Sequence, residues 1–191
     1  MRVIAGTFKG RRLATPAGEG CRPAMGRTRE ALFSMLEARG ADMAEAHVLD
    51  IFAGSGSLAF EALSRGAPGA VLVENAQNSL RALEANVAAL GVEDRARVIR
   101  EDALRFLRRR PETVPGAPFG LVFLDPPYRK GLAQQALTAL ARGGWLAPGA
   151  LVTAEVEGGL TLPAIPGLEP LAERRFGQTV IHIWTASEPC A

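Results

Sequence analysis

From about residue 47 onward, short apolar, β-branched runs alternate with amphipathic windows, the alternation that βαβ units impose around a parallel sheet. The runs are His47 to Phe52, Ala70 to Glu74, Ala96 to Arg100, Leu121 to Leu124 and Ala150 to Val156. Leu80, Leu83, Val87 and Leu90 recur at helical spacing, and Gly91 follows where helices often end in a left-handed residue. The spacing predicts a helix lying on a sheet. Leu132, Ala136, Leu137 and Leu140 repeat the design before Gly143 and Gly144, as do Leu58, Ala62 and Leu63 before Gly66.

Both ends break the alternation. Met1 to Thr15 reads as an extended ribbon turning at Gly10, followed by a helix over Arg27 to Arg39 with Leu32, Met35 and Leu36 on one face. Leu171 to Phe176 and Thr179 to Thr185 flank Gly177-Gln178, a two-residue hairpin loop, so the last strands are expected to be antiparallel. The fold class expected is α/β, a doubly wound Rossmann-like domain over residues 41–191, with a basic extension over residues 1–40.

Composition narrows the class of protein. Of the 191 residues, 48% are AVILMFWYC and 22% are charged, enough apolar surface for a substantial core and incompatible with wholesale disorder. No window approaches about 18 uncharged apolar residues, and the first 30 lack an apolar h-region, so a cytoplasmic protein without membrane span or secretory signal is expected. Cys21 and Cys190 stand near opposite ends with only His47 and His182 as further soft ligands, which argues against a metal site or disulfide framework.

The net charge of +2 hides an asymmetry. Residues 1–29 carry seven basic residues (Arg2, Lys9, Arg11, Arg12, Arg22, Arg27 and Arg29) against Glu19 alone, a charge of +6 that leaves −4 for the rest. A polyanion would be drawn to such an arm, and arginine suits it because its planar fork grips phosphate bidentately and stacks on bases. These seven residues are the candidate nucleic-acid contacts, RNA contacts if the target is RNA.

Two motifs carry chemistry. In the first, Val48-Leu49-Asp50-Ile51 runs into Phe52-Ala53-Gly54-Ser55-Gly56, a strand leading through a glycine-rich turn into a helix. Glycines there let a ligand approach the backbone, and the helix start presents free N–H groups, so a nucleotide-like cofactor is expected over Phe52 to Gly56. Glu74 ends the next run, placed to accept hydrogen bonds from ribose hydroxyls, and Asp102 with the neighbouring Ala103 N–H follows the third, within reach of an adenine amino group. Gly54, Gly56 and Ala59 fit a dinucleotide fingerprint loosely, but a carboxylate at Asp50 directly behind the turn would repel pyrophosphate and suit a cationic amino or sulfonium group. That tilts the choice from NAD towards S-adenosylmethionine.

The second motif is Asp125-Pro126-Pro127-Tyr128, directly after the fourth run, where open α/β sheets place their ligands. Two prolines remove two N–H donors and leave carbonyl and carboxylate acceptors uncontested. The Asp125 carboxylate and the Pro126 carbonyl could each take one hydrogen of an exocyclic base amine and turn its lone pair towards an electrophile, while Tyr128, the chain's one tyrosine, stacks on the flipped base. Asp125 also borders the cofactor space.

At these residues the chain resembles the Rossmann-like S-adenosylmethionine-dependent methyltransferases, whose amino-group subclass carries D/N-P-P-Y/F. It is more closely similar to the 16S ribosomal RNA guanine-N2 methyltransferase family of the RsmD type. The similarity runs through Arg2-Val3-Ile4-Ala5-Gly6, Gly10-Arg11-Arg12-Leu13, Arg22-Pro23, Arg27-Thr28-Arg29-Glu30-Ala31-Leu32-Phe33, Leu49 to Gly56, Glu61-Ala62-Leu63-Ser64-Arg65-Gly66 and Phe123 to Tyr128. Where the family usually has Thr-x-Asp after Arg-Pro, this chain has Ala24-Met25-Gly26, which lacks capping side chains. The resemblance implies a seven-stranded sheet with a reversed last strand and S-adenosylmethionine held by Asp50, Gly54, Gly56, Glu74 and Asp102. It also implies a monomer that methylates N2 of guanine 966 (usual 16S numbering) on the assembling small ribosomal subunit. The Asp-Pro-Pro-Tyr loop alone also fits a DNA adenine-N6 or cytosine-N4 methyltransferase, and a non-catalytic ribosome-assembly factor could keep the same shell.

Overall fold

The computed structural model describes residues 1–16, 23–127 and 131–187. Seven strands form one sheet in the order β3-β2-β1-β4-β5-β7-β6. They are β1 (Val48–Ile51), β2 (Ala70–Glu74), β3 (Ala96–Arg100), β4 (Phe119–Leu124), β5 (Leu146–Glu157), β6 (Leu168–Phe176) and β7 (Thr179–Ala186). The first five pair in parallel, and β7 runs antiparallel to both β5 and β6. The doubly wound reading and the reversed last strand are both present.

The strands alternate faces, and each face is covered. Val48, Ala70, Leu72 and Phe123 pack with Phe60 and Leu63 of α2 (Ser57–Ser64), Leu83 and Leu90 of α3 (Gln77–Leu90), and Phe33 and Leu36 of α1 (Pro23–Glu37). Leu49, Ile51, Val122 and Val152 face the other way onto Phe106 of α4 (Ala103–Phe106), Leu137 and Leu140 of α5 (Leu132–Arg142), and Trp145. Trp145 is fully buried against the Phe106 ring at 4.8 Å and donates from Nε1 to the Leu107 carbonyl, so its one polar atom is satisfied.

The extension differs from the ribbon expected. Residues 1–16 form no strands: Arg2 and Arg12 make a single antiparallel bridge, with Val3 and Leu13 buried beneath. A division at residue 40 does not divide the packing, because Val3, Leu13, Phe33 and Leu36 belong to the same core as β1 and β2. The reason lies in α2, whose Glu61 is wholly buried and accepts the Ile4 and Ala5 amides at 2.8 and 3.0 Å, while Ser64 accepts the Phe8 amide at 2.9 Å. The helix expected from Arg27 begins four residues earlier, at Pro23, whose fixed φ and missing N–H suit a first helical turn.

Candidate functional site

Strand order reverses between β1 and β4: β2 and β3 lie on one side, β5 on the other. This is the topological switch point, where the loops leaving the two central strands diverge and open a crevice. Ile51 of β1 is paired with Leu124 of β4, so Phe52 to Gly56 and Asp125 to Pro127 emerge at the same edge. The described parts of both motifs therefore leave neighbouring strand ends.

The first loop is held by its backbone. Phe52 takes φ 65°, a left-handed conformation that costs an ordinary side chain on the order of 1–3 kcal/mol, and it is the one described non-glycine residue with positive φ. Gly54 follows at φ 56° and Gly56 at φ 79°. A Cβ on Gly56 would lie 2.4 Å from the Phe60 ring and 2.6 Å from Leu83, so that glycine lets the turn pack onto α2 and α3. A Cβ on Gly54 would meet nothing within 4 Å. It would project into the open space where a ligand would lie, so the turn fits a cofactor approaching its backbone.

Two carboxylates serve this turn. Glu74, at the end of β2, accepts the Gly54 amide through Oε2 at 2.8 Å and the Asn75 and Ala76 amides through Oε1 at 2.7 Å each. Three of the carboxylate's roughly four acceptor sites are thereby taken, and the remaining one, on Oε2, is left for a ribose hydroxyl. Asp50 lies beneath the turn on the α2 side, only 2% exposed, with Oδ2 accepting the Ala59 amide at 3.2 Å in the first turn of α2. Burial pushes its carboxyl up to about 7; the Ala59 hydrogen bond opposes the rise and the Glu74 charge adds to it. The sequence reading set Asp50 against a cationic ligand group, whereas in the structure its hydrogen-bond partner is the helix start. A cation over the turn would favour its ionised form.

The third acid is exposed. Asp102 caps α4, accepting the Arg105 amide through Oδ1 at 3.0 Å, and Ala103 beside it is buried. It stands two strands from β1, beyond Glu74, consistent with a ligand laid across the strand ends. In the second loop Asp125 and Pro127 are exposed and Pro126 is buried. Tyr128 and Arg22 lie outside the described residues, as do Cys21 and Cys190.

The basic arm is not a free tail. Arg2, Lys9, Arg11, Arg12 and Arg27 are exposed, but Arg2 donates to the Gly10 carbonyl at 2.6 Å and Arg11 to the Ala89 carbonyl of α3. Arg29 departs from its expected role as an RNA contact. It is 5% exposed, donates to the Arg2 carbonyl and the Met1 sulfur, and lies 3.8 Å from Glu61. It sits in the interior because Glu61, wholly buried, needs cationic partners; Arg65 supplies the other at 3.0 Å.

Glu61, quoted only for its place in a motif, and Asn86 were given no role in the sequence reading. Glu61 and Asn86 stand on the apolar stripes of α2 and α3, three residues after Leu58 and Leu83, and both are buried. A polar side chain on an apolar stripe was the available signal. His182 lies on β7, stacked on Trp184 at 5.4 Å and 3.5 Å from Glu173, and burial lowers its pKa. Two depressions, of about 330 and 520 Å³, lie at the opposite edge where the strands begin, lined by residues such as Gly120 and Ala150 or His47 and Arg97. The first carries Asp42 and Glu45 together with Arg39, the second Glu93 and Asp94 together with Arg95 and Arg97. Among the described residues, no helix is long and apolar enough to cross a membrane.

Comparison with known proteins points the same way. The family described as conserved hypothetical protein 95 matches residues 1–185. Ribosomal RNA small subunit methyltransferase D of Escherichia coli K12 is 40% identical over 185 residues, covering 96% of this chain and 89% of that protein. Its namesake from Haemophilus influenzae is 40% identical over 158 residues, covering 82% and 79%. Among solved structures, the Escherichia coli candidate methyltransferase yhhF superposes with a TM-score of 0.85 at 37% identity, covering 98% of both chains. An RNA methyltransferase from Salinibacter ruber in complex with S-adenosyl-L-homocysteine shares the fold, with a TM-score of 0.61 at 16% identity over 85% of this chain and 94% of that one.

Proposed function

The chain belongs to the conserved hypothetical protein 95 family, and from that membership and the switch-point crevice we propose that it is an S-adenosylmethionine-dependent ribosomal RNA methyltransferase acting on the exocyclic N2 of one guanine, guanine 966, in small-subunit RNA. The observation that carries this reading is the adjacency of the Gly54 turn and the Asp125-Pro126-Pro127 loop at the ends of paired strands.

S-adenosylmethionine supplies an electrophilic methyl group on a sulfonium. The turn from Phe52 to Gly56 offers a bare backbone at Gly54, Glu74 receives a ribose hydroxyl on Oε2, and Asp102 the adenine amine. Asp50, negatively charged above its raised pKa, favours the cationic end. On the substrate side, the Asp125 carboxylate accepts one hydrogen of the guanine amine and the Pro126 carbonyl the other. That pairing withdraws the nitrogen lone pair from the ring and directs it at the methyl carbon, and Asp125 then holds the proton released on transfer. Tyr128 stacks on the base by virtue of its place in the motif.

Positioning carries most of the rate, since oriented proximity alone is worth up to roughly 7–11 kcal/mol. Extruding a base from RNA costs a few kcal/mol, which contacts from Arg2, Lys9, Arg11, Arg12 and Arg27 offset. The test offers labelled S-adenosylmethionine with small ribosomal subunits, free ribosomal RNA and DNA, and identifies the modified nucleoside by mass spectrometry. N2-methylguanosine from the small-subunit RNA supports the reading; N6-methyladenine or N4-methylcytosine in DNA, or no transfer at all, contradicts it.

A further inference from the structure

Asn86 is 1% exposed in α3, and its side-chain amide bonds to two segments distant from it in sequence. Its Nδ2 donates to the Ser55 carbonyl at 2.9 Å, inside the glycine turn, and to the Ala14 carbonyl at 3.0 Å; its Oδ1 accepts the Ala14 amide at 2.6 Å. One rigid amide therefore bridges the cofactor turn and Ala14 of the basic arm, 72 residues away in sequence.

We infer that Asn86 is a positioning residue that couples occupation of the cofactor turn to the seating of the N-terminal arm. An amide has two donor hydrogens, and both are committed here, so a shift of the Ser55 carbonyl cannot be absorbed without disturbing the Ala14 pair. Ser55 stands between Gly54, whose amide is fixed by Glu74, and Gly56, so a ligand that immobilises the turn immobilises that carbonyl. Shortly before Ala14 lie Arg11 and Arg12. Coupling free energies are reciprocal: a ligand that seats the arm tightens the cofactor by the same factor by which the cofactor tightens the arm. The enzyme would thereby hold its RNA-binding surface more firmly when a methyl donor is on board. This inference rests on the placement of the cofactor over Gly54–Gly56.

Hydrogen exchange at the Leu13 amide tests it, because that N–H donates to the Met1 carbonyl at 2.9 Å and makes no bond to Asn86. Saturating S-adenosylhomocysteine is expected to slow Leu13 exchange by on the order of fivefold or more in the unaltered chain, and to leave it unchanged in Asn86→Ala that still binds the compound. Should Asn86→Ala fail to fold, Ala14→Pro, at an exposed position, removes the amide that donates to Asn86 Oδ1 and is expected to abolish the slowing likewise, read in both chains at the Val3 amide, bonded to the Arg11 carbonyl, because proline also constrains the preceding Leu13. Equal slowing in the unaltered chain and the variant, or none in either, overturns the coupling. S-adenosylhomocysteine affinity indifferent to Gly54→Ala would instead remove the cofactor from the turn, a separate failure of the underlying reading.

Discussion

Ile51 and Leu124 stand side by side as the last paired residues of β1 and β4. Adjacent strands are about 4.8 Å apart, so the loops that follow them can border one small crevice. A donor on the first loop and an acceptor on the second are then neighbours by topology, and transfer of a single carbon between them needs no domain movement.

That adjacency assigns separate tasks to the two loops. Asp125→Ala removes the acceptor for the base amine while leaving the glycine turn and Glu74 intact. Turnover should fall by about 10³-fold or more while S-adenosylmethionine affinity, measured by calorimetry, changes less than about threefold. Parallel loss of both would contradict the division.

The two glycines of the turn should respond differently. Gly54→Ala places a methyl in the ligand space at a positive φ, and is expected to cost cofactor affinity more than stability. Gly56→Ala drives a methyl into Phe60 and Leu83 and should lower the melting temperature as well. Thermal unfolding beside calorimetry separates the cases.

Asp50 gives a pH signature. Its folded-state pKa of about 7 exceeds the ordinary 3.8, so between those values the folded chain holds a proton that the unfolded chain has released. Its contribution to stability therefore diminishes as pH rises through that window. Asp50→Asn has no such proton to lose and should gain stability relative to the unaltered chain between pH 5 and pH 8; urea unfolding at the two values reads the difference. A constant difference would show that Asp50 does not titrate there.

The arginines of the arm divide into two kinds. Arg29→Ala strips a partner from buried Glu61 and should destabilise the fold by on the order of 1–3 kcal/mol. Arg12→Ala, on an exposed side chain, should leave stability within about 0.5 kcal/mol and reduce the salt dependence of RNA binding by roughly one phosphate contact. Filter binding across salt concentrations distinguishes them.

What the chain disclosed before folding was its periodic part. The buried strands announce themselves as apolar runs because a doubly wound sheet is covered on both faces, and Gly54, Glu74, Asp102 and Asp125 are found at strand ends because such sheets bind ligands there. Long-range polar pairing was not legible. Arg29 counts as one more positive charge until Glu61, on another helix, turns out to be buried beneath it. The left-handed Phe52 carries no compositional mark, since phenylalanine rarely adopts that conformation and only the closed turn imposes it. Asn86 lies within an ordinary amphipathic helix, and its bonds to Ser55 and Ala14 exist only once three distant segments have met.

The most direct measurement is a crystal structure of the chain with S-adenosylhomocysteine. The ribose should rest on Glu74 and the sulfur in the crevice between the Gly54 turn and Asp125, open towards the side from which a base enters. Electron density for the compound at the other edge of the sheet, or with its sulfur turned away from Asp125 across β1, would contradict the account.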